Sequence, residues 1–219
     1  MVLYTDGAYE NEVATWGAIL LDPLSDARWM FHGTVCRTLC DHWRTHAGEQ
    51  IICEVEAFAA ALVLYGLRGS LRGRCIISFI DNDAARFGFV RRSSPSQCMF
   101  NIICIVTLLE AILETSLWYE RVPSKSNPSD LPSRGALVEA AERFAVLDKG
   151  DVAISEHVLS RSGAKLTWCQ SFINDVMWQL RLTFAGDDAV RRLRVPVDLS
   201  YLSPRVRMPL TGKEDECCV

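Results

Sequence analysis

The chain has 219 residues, 49% of them hydrophobic and 23% charged, which is enough to bury the core of a folded protein and excludes a disordered or low-complexity chain. Neither end joins a basic segment to an apolar run, and the most apolar stretch, residues 99–109, is too short to span a membrane. We therefore expect an intracellular protein, nuclear or cytoplasmic, with no secretion signal and no membrane segment.

The formal net charge is −4, and residues 1–140 account for it, with 12 Lys and Arg against 16 Asp and Glu. An acidic domain repels phosphate, which argues against a nucleic-acid partner unless the acids hold metal ions. Several of the nine cysteines lie in apolar runs, where cysteine behaves as a small hydrophobic residue. A reducing compartment therefore fits better than a disulfide scaffold.

Three strands are predicted at the start of the chain. Residues 2–5 and 14–21 are rich in β-forming residues, and residues 28–35 follow the turn-forming DPLSD. The first apolar run halts at Asp6 and Gly7, so the first strand is expected to end there. The short connections predict an antiparallel meander.

Helices and two further strands follow. Apolar and small residues recur at helical spacing over 51–67, and the continuous run CIISFI at 75–80 is typical of a strand covered on both faces. AARFGFV then predicts a helix, as do residues 97–115, before the strand LWYERV and a last helix running from NPSD to about residue 146. The predicted order is βββαβααβα.

Residues beyond 150 give a weaker pattern. An amphipathic helix is predicted over 166–184, followed by a tail with several arginines. The tail could pack on the core, bind phosphate or lack structure at its end, and the sequence does not choose among these. The arginines are Arg191, Arg192, Arg194, Arg205 and Arg207.

Carboxylates stand at the boundaries of the predicted elements. Asp6 and Asp81 follow two apolar runs, and Asp130 opens the last helix. Each one alone could start a turn or cap a helix. Adjacent strands ending at one sheet edge would, however, bring Asp6 and Asp81 together, and such close carboxylates repel unless a cation neutralises them. Mg²⁺ takes carboxylate and phosphate oxygens and in pairs promotes phosphoryl transfer, so metal chemistry is predicted at this edge.

Four segments, in this order, resemble the ribonuclease H domain in the version found at the end of retroelement reverse transcriptases. They are YTDGAY with the TWGAILLD strand, QIICEVEAFAAALVL, FIDNDAA, and RVPSKSNPSDLPSRG. The resemblance covers about residues 2–147 and implies a ribonuclease H-like α/β (α+β) fold. Its mixed five-stranded sheet would have three antiparallel and then two parallel strands, flanked by helices. Residues 148–219 would form a partly helical C-terminal extension.

The resemblance also implies an active site. Its catalytic and metal-binding acids would be Asp6, Glu56, Asp81 and Asp130, holding two Mg²⁺ ions for which Mn²⁺ can substitute. Helical periodicity does not choose between Glu54 and Glu56, which lie about 200° apart on a helix, but the Glu-x-x-Ala-Ala spacing of the family selects Glu56.

The implied reaction is hydrolysis of the RNA strand of an RNA–DNA hybrid, with contacts to 2′-hydroxyls selecting RNA. The implied partners are the hybrid and a reverse transcriptase polymerase domain. Candidate substrate contacts flank the acids in sequence and are Asn82, Arg86, Arg91, Arg92, Lys125, Asn127 and Arg134.

Other interpretations remain open. Cellular ribonucleases H usually carry a histidine in the loop before the last aspartate, and PSKSNPS has none. This gap, and the five residues that precede Asp6, favour as an alternative a catalytically weak or inactive relic that acts as a nucleic-acid-binding or structural module.

Three further alternatives fit the motifs less well. A related exonuclease would carry Asp-x-Glu on the first strand, where this chain has Asp6, Gly7 and Ala8. A transposase or integrase core would place its glutamate after both aspartates, whereas Glu56 lies between them. A zinc site lacks the C-x2-C spacing that would support it; its ligands would come from His32, Cys36, Cys40, His42 and His46.

Overall fold

The structure is a computed structural model that describes residues 1–150. The helix predicted over 166–184 and the arginines of the tail lie outside the described residues.

Six strands form one mixed sheet in the order β5-β4-β1-β2-β3-β6. Strands β1, β2 and β3 pair antiparallel, and β1, β4 and β5 run parallel, so the predicted arrangement of the first five strands is confirmed. The sixth strand was not predicted because it has only two residues, paired parallel to β3. The strands are β1 Val2–Glu10, β2 Val13–Asp22, β3 Ala27–Thr34, β4 Cys75–Ile80, β5 Ser116–Arg121 and β6 Leu147–Asp148.

The sequence predicted that the first strand would end at Asp6, but β1 continues beyond this residue. Its pairing with β2 continues without a break to Glu10, which lies opposite Val13. The turn falls at Asn11 and Glu12, whose φ angles of 50° and 64° suit a two-residue connection between antiparallel strands. Asp6 therefore lies inside β1, where both strands of the hairpin hold its backbone.

Seven helices accompany the sheet within residues 1–150. They are α1 Arg37–Ala47, α2 Ile52–Gly66, α3 Arg68–Leu71, α4 Asp83–Arg91, α5 Gln97–Leu113, α6 Asp130–Ser133 and α7 Leu137–Phe144. The sequence did not predict α1, which buries Leu39, Cys40 and Trp43 at helical spacing. The single helix predicted from NPSD onward is instead two, since the chain turns through Gly135 at a φ of 78°.

Different helices pack on the two faces of the sheet. Helices α2 and α5 lie in the larger core, where the fully buried residues include Leu3, Trp16 and Phe58. A smaller core on the opposite face joins Ile19 and Met30 to residues near α7. Along residues 1–150, no helix is both long and apolar enough to cross a membrane.

Candidate active site

Three carboxylates from three elements meet at one edge of the sheet. Asp6 lies in β1 and Glu56 in α2. Asp81 is the residue that directly follows β4. One oxygen from each lies within 4.8 Å of the others. The parallel pairing of Tyr4 with Phe79 explains the meeting, because two residues further on it sets Asp6 level with Asp81.

A glycine lets Glu56 approach the sheet. A Cβ atom on Gly7 would lie 2.8 Å from Val55 Cγ1 and 2.9 Å from the backbone nitrogen of Glu56. Any side chain at this position would therefore push the start of α2 away from β1. The close approach puts the Glu56 carboxylate beside Asp6.

Helix α6 supports Asp6 from the opposite face. A Cβ atom on Gly17 would lie 2.3 Å from the backbone nitrogen of Ser133, so α6 rests directly on β2. The Ser133 hydroxyl donates to Asp6 Oδ2, and Thr15 Oγ1 donates to the Ser133 carbonyl at 2.6 Å. Sequence reasoning missed Ser133, whose only signal is its position three residues after Asp130.

Two asparagines orient the other carboxylates. Asn82 caps α4 by accepting from the Ala85 amide at 3.0 Å, and its Nδ2 donates to Glu56 Oε1 at 3.3 Å. Asn127 Nδ2 donates to the Thr5 carbonyl at 3.1 Å and to Asp81 Oδ1 at 3.4 Å. Both amides donate hydrogen bonds inside the protein, and their role as substrate contacts stays a prediction.

Burial and mutual repulsion oppose ionisation of this group. Burial, followed by the charges of Asp81 and Asp6, raises the pKa of Glu56 to about 9. Burial also raises the pKa of Asp6 to about 7, with the charges of Asp81 and Asp130 adding to it and the Ser133 hydrogen bond opposing it. Without a cation, the site therefore favours protonated carboxyl groups near neutral pH.

The donor set fits a hard divalent cation. Glu56 is only 7% exposed, and among the described residues no hydrogen-bond donor reaches its Oε2. Buried polar atoms without a partner are uncommon, and three converging carboxylates supply the oxygen ligands that Mg²⁺ and Mn²⁺ prefer. Asp6, Glu56 and Asp81 are the residues that could hold such an ion.

Glu54 lies outside this group. It is 3% exposed and accepts a hydrogen bond from Ser96 Oγ at 2.9 Å, at the N-terminus of α5. The two glutamates thus project from α2 to different neighbours, and only Glu56 reaches the carboxylates of β1 and β4.

Asp130, the fourth acid of the predicted set, does not join the three. Its Oδ1 accepts from Arg134 Nε at 2.8 Å, and Arg134 Nη1 also pairs with Glu10 at 2.6 Å. The charge of Asp130 still raises the pKa of Asp6, so the fourth acid lies near the group while its carboxylate is held by Arg134.

The basic residues suggested as substrate contacts have different surroundings. The Arg86 guanidinium lies 4.3 Å from the Phe87 ring centre and 3.4 Å from Asp83. Lys125 is exposed in a 3-10 turn at Ser124–Ser126. Arg91 lies over the same Phe87 ring at 5.3 Å, whereas Arg92 pairs with Glu110 of α5.

The histidines and cysteines of the zinc alternative do not gather. His32 pairs with Asp148 at 3.3 Å, while His42 and His46 lie side by side on α1 with ring centres 4.4 Å apart. Burial raises the pKa of Cys40 to about 11, which disfavours a thiolate ligand. Within residues 1–150, the group of three or more potential ligands close enough to share an ion is Asp6, Glu56 and Asp81.

The order and direction of the strands identify the architecture. Three antiparallel strands are followed along the chain by two parallel strands, with helices on both faces, as the resemblance implied. The chain has a ribonuclease H-like fold. The short β6 adds a sixth strand to it.

Comparison with solved structures finds ribonucleases H of low sequence identity. No protein-family model and no curated protein sequence matches the chain. The RNase H1 of the halophilic archaeon Halobacterium salinarum NRC-1 is 14% identical, with a TM-score of 0.46 over 63% of this chain and 97% of that one. LC11-RNase H1 in complex with an RNA/DNA hybrid is 13% identical, with a TM-score of 0.46 over 64% and 97%. The N-terminal RNase H domain of a Mycobacterium tuberculosis protein, solved as a fusion with maltose-binding protein, is 14% identical, with a TM-score of 0.45 over 65% and 96%.

Proposed function

We propose that this chain is a metal-dependent endonuclease that hydrolyses the RNA strand of RNA–DNA hybrids, derived from a retroelement reverse transcriptase. The observation that carries the proposal is the meeting of Asp6, Glu56 and Asp81 with oxygens within 4.8 Å of one another. Three buried or half-buried carboxylates this close are costly without a cation, and the unpartnered Glu56 Oε2 supports a cation-binding role.

Asp6, Glu56 and Asp81 would hold the metal ion, Mg²⁺ or Mn²⁺. Divalent ions bound there supply positive charge to the reacting phosphate and favour ionisation of water. Asn82 and Asn127 act as positioning residues, because each donates a hydrogen bond to a carboxylate of the group. Ser133 has the same role toward Asp6.

Asp130 would complete the set for a second ion. Its carboxylate pairs with Arg134, so binding a second ion requires that pair to open or to share the aspartate. Arg86, Lys125 and Arg134 remain the proposed contacts to the phosphates of the hybrid, since a cationic side chain beside the acids can neutralise backbone charge.

The test of the proposal is a cleavage assay. The full chain is incubated with an end-labelled RNA–DNA hybrid in Mg²⁺ or Mn²⁺, beside the Asp81→Asn variant and a DNA–DNA duplex of the same sequence. We expect metal-dependent cuts in the RNA strand alone, at a rate at least about 100-fold above the variant because a metal ligand is lost. Cleavage no faster than that of Asp81→Asn would refute the enzymatic proposal.

A second function is favoured by a specific observation. The loop at Ser124–Ser126 has no histidine, and Asp130 is engaged by Arg134, so two parts of the expected catalytic set are absent or occupied. Under this second function, the chain binds a nucleic acid without cutting it. Metal-dependent binding of the hybrid with no cleavage in either ion would support this second function.

A further inference from the structure

Two histidines lie one helical turn apart on the exposed side of α1. The rings of His42 and His46 have centres 4.4 Å apart and planes tilted by 37°, and both residues are exposed. Residues at i and i+4 of a helix share one face, so the geometry of α1 brings the two rings together. The larger set of histidines and cysteines in the zinc alternative does not gather, but this pair does.

The ring nitrogens of this pair are available to a ligand. Within residues 1–150, neither the His42 ring nor the His46 ring makes a hydrogen bond or an ion pair, whereas His32 pairs with Asp148 at 3.3 Å. Burial, followed by the neighbouring His46, lowers the pKa of His42, which favours a neutral ring at neutral pH. A neutral imidazole keeps the nitrogen lone pair that a metal ion requires.

The charged groups of α1 do not oppose a cation at this pair. Arg44 pairs with Glu12 at 3.3 Å and with Asp41 at 3.9 Å. Arg37 also pairs with Asp41, at 3.8 Å. Each arginine of the helix thus has an acidic partner, and the last turns of a helix attract cations through its macrodipole.

We propose that His42 and His46 form a two-histidine binding site for a divalent transition-metal ion of the Zn²⁺, Ni²⁺ or Cu²⁺ class. Imidazole nitrogens suit these ions, and two histidines at i and i+4 on one helix face are a recurring pair of zinc ligands. The pair supplies two nitrogens, so water or an anion fills the other coordination positions. The group of Asp6, Glu56 and Asp81 offers oxygens, which suit Mg²⁺ and Mn²⁺. The histidine site therefore does not depend on the proposed nuclease activity.

A metal ion at this pair would join the last two turns of α1. The helix ends at Ala47, one residue after His46, so these turns have no further helical support. Trp43, next to His42, is buried and lies against Phe58 of α2 with ring centres 5.4 Å apart. A bound ion would therefore also hold this indole in the larger core, and amide hydrogen exchange over residues 43–47 should slow.

Histidine NMR of the full chain tests the site. The histidine rings are labelled with ¹³C, and Zn²⁺ is added in the presence of TCEP. We expect the ring signals of His42 and His46 to shift with one common midpoint, whereas the same concentration of Mg²⁺ shifts neither. His42→Gln should weaken the binding seen at His46 by at least about tenfold, since one of two ligands is lost. The matched control His32→Gln removes a histidine of β3 and should leave the midpoint unchanged.

Two results would overturn the proposal directly. They are separate midpoints for the two rings and an unchanged His46 midpoint in His42→Gln. If His42→Gln fails to fold, His46→Gln followed at the His42 ring gives the same comparison. Amide exchange over residues 43–47 should slow in Zn²⁺ in the natural sequence but not in His46→Gln, and equal exchange with and without Zn²⁺ would refute the joining of the two turns.

The Asp81→Asn variant separates this site from the carboxylate group. The common midpoint of His42 and His46 should be the same in this variant as in the natural sequence, even where hybrid cleavage is lost. A midpoint that changes in Asp81→Asn would mean that the histidines respond to Zn²⁺ bound at the carboxylates, and this would refute the two-histidine site. Failure of the nuclease proposal would leave the expected histidine shifts as they are.

Discussion

At the residue scale, the two glutamates of α2 illustrate how one helix serves two purposes. Glu56 adds a third carboxylate to Asp6 and Asp81, whereas Glu54 accepts from Ser96 at the start of α5. Both are buried, so burial alone does not separate them. The two glutamates differ in their hydrogen-bond and charge partners, and these partners predict different effects when either carboxylate is replaced by a neutral amide.

Glu56→Gln and Glu54→Gln test this difference. Glu56→Gln should abolish hybrid cleavage and raise the melting temperature of the metal-free protein at pH 8, because Glu56, with a pKa of about 9 in the folded state, must take up a proton on folding, whereas Gln is already neutral. Glu54→Gln should keep cleavage and leave the protein equally or slightly less stable, since an amide still accepts from Ser96 more weakly than a carboxylate does. Equal losses of activity in the two variants would contradict the assignment of Glu56.

The raised carboxyl pKa values predict how the stability of the metal-free protein depends on pH. Glu56 has a pKa of about 9 in the folded protein against an ordinary value of 4.5, so the folded state holds its proton more tightly than the unfolded state. This contribution is complete below the ordinary value and is lost as the pH rises toward 9, and the Asp6 contribution is lost toward about 7.

Thermal unfolding from pH 4.5 to 9, with and without Mg²⁺, measures this dependence. We expect the stabilisation by Mg²⁺ to grow with pH, because the ion binds the ionised carboxylates. Glu56→Gln should flatten the metal-free profile. A metal-free protein that became more stable as the pH rose would contradict burial and charge repulsion as the causes of the two pKa shifts.

We expect Arg134 to weaken the metal affinity of the site. Its guanidinium bridges Asp130 and Glu10, and its charge also acts on Asp6. In Arg134→Gln the negative potential of the site increases, so calorimetric Mn²⁺ affinity should rise by roughly threefold to fivefold, the scale of a half-exposed ion pair. Arg143→Gln, which loses a 4.0 Å pair with Glu139 on α7, is the control and should leave affinity unchanged. A fall in affinity for Arg134→Gln would mean that Arg134 positions Asp130 for the metal.

At the element scale, the site depends on how closely two helices approach the sheet. Gly7 lets α2 rest on β1 from one side, and Gly17 lets α6 rest on β2 from the other. The carboxylate of Asp6 receives a hydrogen bond from α6 and faces Glu56 of α2. Small displacements of either helix therefore change the spacing of the acids.

Gly17→Ala tests this dependence. The added methyl would lie 2.3 Å from the Ser133 nitrogen and 2.7 Å from the Ser129 carbonyl oxygen, so α6 must shift and Ser133 must move away from Asp6. We expect a loss of about 1–3 kcal/mol in urea unfolding, the usual cost of overpacking, together with weaker Mg²⁺ stabilisation. Gly69→Ala in α3, where no atom lies within 4 Å of the new methyl, should be neutral or slightly stabilising. Equal effects of the two substitutions would refute the role of the close approach.

At the scale of the whole molecule, the charge of residues 1–140 predicts that the proposed binding of a nucleic acid depends on metal ions. This part has 12 basic and 16 acidic residues, so no excess of positive charge is available to attract phosphate. Fluorescence anisotropy with a labelled hybrid should show at least about tenfold tighter binding in Ca²⁺ than in EDTA, because a bound cation reverses the local charge.

The control is Asp81→Asn, which should lose most of the gain from Ca²⁺. Equal binding of the unmodified chain in Ca²⁺ and in EDTA would instead mean that the basic side chains around the site hold the hybrid without help from the acids.

Much of the architecture could be predicted from the sequence because its signals are local. The β-branched run at 75–80 and the helical spacing at 51–67 identify β4 and α2 within one residue of their observed ends. Helix α1 was missed, since polar residues and cysteines obscure its apolar stripe. The continuation of β1 past Asp6 was missed because it depends on pairing with β2. The turn at Asn11 and Glu12 also lacks a strong turn sequence such as Asn-Gly.

The sequence by itself determined the chain order of the acids and the class of chemistry they suggest, because residue types and their spacing carry that information. Only the tertiary structure decided that Arg134 holds Asp130 and that Ser133 supports Asp6, and it brought Glu56, which the family spacing had selected over Glu54, to the group. Ser133 and Asp6 are 127 positions apart, and their contact depends on how closely α6 packs against Gly17. Distances of this kind arise from the packing of whole elements, which no local pattern of residues encodes.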